Sequence, residues 1–146
     1  MTTISLITPD DRPQLLAIER RAHAFPWSEQ TFASNQGERF LNFGLRSDGR
    51  LAGFAITQVV LDEASLFNIA VDPDFQRRGY ARQLLQRLIG ELEQRDVLTL
   101  WLEVRASNRA AIALYEQLDF HQVSVRPNYY PTAGGREDAV IMALTL

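Results

Sequence analysis

The chain has 146 residues, 46% of them hydrophobic and 23% charged, with a formal net charge of −3 and no cysteine. This is the balance of a globular chain, read as one domain over residues 1–146. The lack of cysteine excludes disulfides, thiolate nucleophiles and cysteine-type zinc sites. His23 and His121 have no neighbours at metal-ligand spacing, so no metal is expected, and no Gly-x-Ser-x-Gly elbow marks a hydrolase. No run approaches the ~18 apolar residues that span a bilayer. Met1–Leu6 lacks the basic and apolar regions of a signal peptide, so a cytoplasmic protein without membrane contact is expected. The pI near 5.4 is opposite to the bias of a general nucleic-acid binder, whereas a basic peptide would meet a favourable field.

Ile4–Ile7 reads as a short strand, and Thr8-Pro9-Asp10-Asp11 opens a helix whose apolar side is Leu15, Leu16, Ile18 and Ala22. Phe25-Pro26-Trp27 breaks that helix, and Ser28 caps a second, short one running to Asn35. Phe40–Ser47 and Arg50–Leu61 are strands joined at the hairpin signal Asp48-Gly49, and Ala64–Val71 is a third. From Gly79 onward, Tyr80, Ala81, Leu84, Leu85, Leu88, Ile89 and Leu92 recur at helical spacing. Leu98, Leu100, Leu102 and Val104 alternate with Thr99, Trp101, Glu103 and Arg105, the period of two that marks a strand. Arg109–Leu118 is a further helix with Ala111, Leu114, Tyr115 and Leu118 on one face. Val140–Leu144 closes the chain as a strand after a turn at Gly134-Gly135. This order predicts a mixed α/β (α+β) domain built on one layered sheet.

The most informative stretch is Asn68-Ile69-Ala70-Val71-Asp72-Pro73-Asp74-Phe75-Gln76-Arg77-Arg78-Gly79-Tyr80-Ala81, where a strand ends, a short loop follows and a glycine opens an amphipathic helix. Arg77, Arg78 and Arg82 crowd the start of that helix, where cations oppose the macrodipole by roughly 0.3–1 kcal/mol each. A bound anion reverses the sign of that effect, and free N–H groups beside Gly79 would cradle a pyrophosphate. A solvated basic turn is the plainer reading of the same residues.

Gln76-Arg77-Arg78-Gly79-Tyr80-Ala81 resembles the pyrophosphate-binding motif of the GCN5-related N-acetyltransferase (GNAT) superfamily, Gln/Arg-x-x-Gly-x-Gly/Ala. Trp101-Leu102-Glu103-Val104-Arg105-Ala106-Ser107-Asn108, followed by Ala113-Leu114-Tyr115-Glu116-Gln117-Leu118-Asp119-Phe120, resembles the second half of that pattern. Two departures show: Ala81 replaces the second motif glycine, and Asp119 stands where Gly precedes Phe, a position of left-handed geometry that Asp tolerates. His23-Ala24-Phe25-Pro26-Trp27-Ser28, Asn68-Ile69-Ala70-Val71 and Arg126-Pro127-Asn128-Tyr129-Tyr130-Pro131 are similar to the bacterial ribosomal-protein-alanine N-acetyltransferases within the superfamily.

The resemblance implies a GNAT fold: a mixed, mostly antiparallel sheet flanked by helices, with the parallel strands Ala64–Val71 and Leu98–Val104 splayed apart around acetyl-CoA. It implies that Ile69, Ala70 and Val71 meet the cofactor arm through their backbone, and that Arg77, Arg78, Gly79, Tyr80, Ala81 and Arg82 hold the pyrophosphate. Asn108 is assigned to the pantetheine amides, although alone it reads as an N-cap. Tyr115 is assigned to the cofactor thiol, although alone it reads as a core aromatic. Glu103, on the same side of its strand as Trp101, is the implied general base, and a half-exposed polar sheet residue is the alternative. Phe25, Trp27, Tyr129 and Tyr130, in two proline-containing loops, would flank the acceptor groove or simply pack locally. The implied activity is acetyl transfer from acetyl-CoA to the N-terminal alanine of a small-subunit ribosomal protein, by direct transfer in a ternary complex. Acetylation of a lysine or small amine, and a non-catalytic CoA-binding regulator, remain alternatives, while direct contact with nucleic acid is not expected.

Overall fold

The run Leu51-Ala52-Gly53-Phe54-Ala55-Ile56-Thr57 has no polar face, and a strand of that kind is stable only when both of its sides are covered. In the computed structural model, which describes residues 1–146, this run is buried throughout and lies in the third strand of a seven-stranded sheet. In chain order the elements are β1 (Thr2–Leu6), α1 (Arg12–Ala22), α2 (Glu29–Ser34), β2 (Phe40–Ser47), β3 (Arg50–Val60), β4 (Glu63–Val71), α3 (Tyr80–Gln94), β5 (Thr99–Arg105), α4 (Arg109–Gln117), β6 (His121–Thr132) and β7 (Gly135–Thr145). The spatial order is β1-β2-β3-β4-β5-β7-β6, antiparallel everywhere except between β4 and β5.

Residues of β3 feed two cores, with the side-chain phase shifted at Ala52, which the register with β2 skips. Phe54 and Ile56 pack with Leu15, Leu16 and Ile18 of α1 and Phe32 of α2, whereas Ala52 and Ala55 join Leu84, Leu85, Leu88 and Leu92 of α3. The helices therefore cover opposite faces of the sheet, as the α/β reading predicts. The four α3 leucines are fully buried, each worth roughly 1.5–3 kcal/mol relative to exposure. Ser28 caps α2 by accepting a hydrogen bond from Thr31 N–H at 3.2 Å, and Asp119 takes a left-handed φ of 74° just after α4, the geometry that its place in the sequence requires.

Three expected segments differ. Arg126–Pro131 belongs to a long strand, β6, and not to a loop; its pairing with β7 is interrupted between Arg126 and Tyr130, where Asn128 has φ 50°. Pro127 is tolerated there because β6 is the sheet edge. β7 begins at Gly135, since the polar run Arg136-Glu137-Asp138 pairs through its backbone without showing an apolar alternation. Leu98 is 56% exposed and precedes β5, so the buried face of that strand starts at Leu100.

Candidate active site

The site begins as a fault in sheet pairing. β4 and β5 pair only from Glu63 with Thr99 to Leu66 with Leu102, and both strands then run on unpaired with each other. The pairing of β4 with β3 slips at Phe67, which is the extra residue of a bulge. A bulge shifts the side-chain phase by one residue. Accordingly Ala64 and Leu66 face the α3 side, whereas Ala70 packs toward α1. Gly53 of β3 permits the close approach of β4 here, since a Cβ at that position would stand 2.9 Å from the Ala70 carbonyl. The split between the strands forms a cavity of about 990 Å³ that Ile69, Ala70 and Val71 line together with Glu103, Val104 and Arg105.

At one end of this cavity stands the start of α3. Gly79 is its N-cap, at φ 78°, and no side chain caps the first turn, so the leading N–H groups keep no partner from the helix itself. Arg77 is also left-handed, at φ 66°, and closely spaced turns of this hand direct successive N–H groups to one side. A Cβ at Gly79 would meet no protein atom within 4 Å, so backbone conformation and not packing is what calls for glycine. Arg77, Gly79, Tyr80, Ala81 and Arg82 line the cavity. Arg82 also donates to Gln117 of α4. The Tyr80 side chain is buried, its hydroxyl 3.1 Å from Ser47 Oγ, which leaves its backbone for any role in the cavity. Arg78 does not line the cavity; its guanidinium lies over the Phe75 ring at 5.1 Å. Asn108 caps α4 by accepting from Ala111 N–H at 3.2 Å and lines the cavity as well.

At the split itself are Glu103 and Tyr115. Glu103 projects from the same side of β5 as Trp101, with its side chain a third exposed and a carboxylate oxygen 4.0 Å from Arg126 Nη2. Tyr115 is buried, packs on Phe120 at 5.6 Å and lines the cavity. Burial, with a smaller contribution from Tyr130, pushes its phenol up to about 12. Such a group holds its proton throughout the neutral range and is a weaker acid than a free phenol.

The far end is framed by aromatic residues. Phe25, Trp27 and Tyr130 line the main cavity. Tyr129 does not; it borders an adjoining groove of about 490 Å³, which shares Trp27, Phe67, Glu103 and Tyr130 with the cavity. Burial first, then the charge of Glu103, pushes the Tyr130 phenol up to about 12. Arg105 connects the two framing segments. Its guanidinium lies 5.2 Å from the Phe25 ring and 4.6 Å from the Tyr130 ring, and Nη1 donates to the Pro131 carbonyl at 2.7 Å. Arg105 stands within the stretch Glu103–Asn108 that resembles the family pattern, with no role assigned to it by that resemblance, whereas the buried Glu19, which also lines the cavity, lies outside every motif. The available clue for Glu19 was its place on the apolar face of α1, four residues after Leu15 and three after Leu16.

Residues 7–120 match the sequence model of the acetyltransferase (GNAT) family. The chain belongs to the GNAT acetyltransferase family. Its relatives include the [ribosomal protein bS18]-alanine N-acetyltransferase of Escherichia coli K12, 68% identical over 146 residues, covering 100% of this chain and 99% of the relative. A crystal structure of the ribosomal-protein-S18-alanine N-acetyltransferase from Escherichia coli superposes with a TM-score of 0.98 at 68% identity, covering 99% of this GNAT chain and 94% of that one. Arabidopsis thaliana NAA60 in complex with acetyl-CoA shares the fold, with a TM-score of 0.89 at 20% identity over 100% of this chain and 99% of that one.

Proposed function

We propose that this GNAT enzyme acetylates the α-amine of an N-terminal alanine on a small-subunit ribosomal protein. The observation that carries the reading is a single cavity lined both by an uncapped, arginine-flanked helix start and by Glu103 and Tyr115. The choice of acceptor is supported by the full-length 68% identity to enzymes named for that substrate.

The residues fit acetyl-CoA. The start of α3, with Arg77 and Arg82, would hold the diphosphate, and Asn108 with the open edge of Ile69, Ala70 and Val71 would meet the amide-bearing arm. When bound, acetyl-CoA supplies the acetyl group as a thioester open to direct attack by an amine. Glu103 takes the proton that the amine must lose, directly or through one water. The Tyr115 hydroxyl, which keeps its proton at neutral pH, donates to the departing sulfur. Main-chain N–H groups on the open edge of β4 would favour negative charge on the acetyl oxygen. Phe25, Trp27 and Tyr130 enclose the place of the acceptor terminus and exclude water from it, and Tyr129 walls the groove beyond.

The α-amine is the easier acceptor chemically. Its pKa of about 7.7–8.0, against about 10.4 for lysine, leaves roughly a tenth of it neutral at pH 7, and a neutral lysine costs about 3 kcal/mol more to reach. The test compares kcat/KM for peptides beginning Ala-Arg, acetyl-Ala-Arg with an internal lysine, and Glu-Glu. The Ala-Arg peptide is expected to be fastest. Faster modification of the blocked peptide at lysine overturns the N-terminal reading and leaves the family assignment in place.

A further inference from the structure

Glu19 is a carboxylate only 1% exposed, on the sheet-facing side of α1, and no arginine or lysine pairs with it. A buried carboxylate without a cation is costly, and an apolar residue would serve packing better. Here two N–H donors compensate the charge, and they come from separate parts of the site. Oε2 accepts from the Trp27 main-chain N–H at 2.9 Å, and Oε1 accepts from Asn68 Nδ2 at 2.9 Å. His23 Nε2 stands 3.5 Å from Oε1. Trp27 lies where the cavity and the groove join, its indole edge-on to Phe32 at 5.2 Å. Asn68 follows the bulged Phe67, the residue at which β4 parts from β5. One carboxylate thus ties the loop between α1 and α2 to the strand that forms the cavity wall.

We propose that Glu19 is a positioning residue for the acceptor: by locking the Trp27 loop to β4 it fixes the width of the junction in which the amine and its first side chain sit. The inference rests on the reading of the acceptor given above for its choice of peptide, but the tie itself can be read without any acceptor. Three variants decide it: Glu19→Ala, Asn68→Asp, and Glu19→Gln combined with Asn68→Asp. The first removes the tie and the second sets two carboxylates against each other. The double variant restores the hydrogen bond with its polarity reversed, because a glutamine can accept from Trp27 N–H through its oxygen and donate to an aspartate through its amide.

The measurements are hydrogen exchange at the Trp27 amide and steady-state kinetics with the Ala-Arg peptide. In each single variant the Trp27 amide is expected to exchange faster. Peptide KM should rise about 10- to 100-fold, the equivalent of losing a hydrogen bond to a charged group, with acetyl-CoA KM unchanged. Both readouts return toward the parent values in the double variant. Should Glu19→Ala fail to fold, the Asn68→Asp single and the double variant carry the same comparison. Faster exchange with unmoved peptide KM, parallel rises in the KM of both substrates, or a folded double variant without recovery overturns the proposal. A parent enzyme that ignores the Ala-Arg peptide yet shows a Glu19-dependent Trp27 amide overturns the acceptor reading and sustains the tie.

Discussion

The two ends of the cavity are built on different principles. The end proposed for the cofactor is made from nearly consecutive residues: Arg77, Gly79, Tyr80, Ala81 and Arg82 lie within one loop and helix start. The end proposed for the acceptor is assembled from residues distant in the chain. Phe25 and Trp27 come from the connection between α1 and α2, Glu103 and Arg105 from β5, and Tyr130 and Pro131 from β6. A locally encoded site depends little on rearrangement elsewhere in the fold. A site assembled across the fold can change its acceptor through a few contacts, such as those of Arg105 with Phe25 and Tyr130. On the proposed reading, this division separates binding of the common donor from choice of the acceptor.

The comparison is put at most risk by Glu103→Gln, which removes a base and keeps its shape. We expect kcat to fall about 10²–10⁴-fold at neutral pH, with acetyl-CoA affinity by calorimetry unchanged. A loss of affinity instead would mean that the two ends are not separable. Tyr115→Phe keeps the ring packing on Phe120, and should cost kcat nearer the lower end of that range, about 10²-fold, because a thiolate needs less help to leave than an alkoxide.

Tyr115 also has a signature in stability against pH. Its folded pKa, near 12, lies above the ordinary value of 10.0, so the folded chain keeps a proton that the unfolded chain releases. The stability tied to that proton is fully present below pH 10 and is lost as pH rises toward 12. Urea titrations at pH 9 and pH 11 should therefore show a smaller alkaline loss in Tyr115→Phe than in the parent. An equal loss in the two chains contradicts this assignment.

The smallest effects are expected at the cofactor end, where several groups share one anion. Arg77→Ala and Arg82→Ala should each raise the KM for acetyl-CoA about 10-fold or slightly more, in line with one charge-assisted hydrogen bond, with kcat reduced less. Gly79→Val should weaken binding beyond either, because a branched residue resists the φ of 78° that the helix start requires. Unchanged affinity in all three variants, measured calorimetrically, removes the cradle from the donor end and the contrast with it.

What could be read from the residues alone follows the same division. The apolar period of α3, the alternation in β5, the Ser28 cap and the left-handed Asp119 each depend on a residue and its near neighbours, and each holds in the structure. The glycine that opens α3 was legible for that reason. β6 was not legible as a strand. It is exposed along nearly its whole length and contains Pro127, and what holds it is backbone pairing with β7.

The sequence by itself determined the helices, most of the strands, the motif at the start of α3 and the placement of Glu103 beside Trp101, because these depend on periods of a few residues. The tertiary structure alone decided where β4 leaves β5, since the split depends on a single extra residue, Phe67, measured against a neighbouring strand. It alone brought Glu19 under Trp27, and Arg105 between Phe25 and Tyr130. A bulge and a contact across the fold are relations between distant segments, and no local pattern of residues contains them.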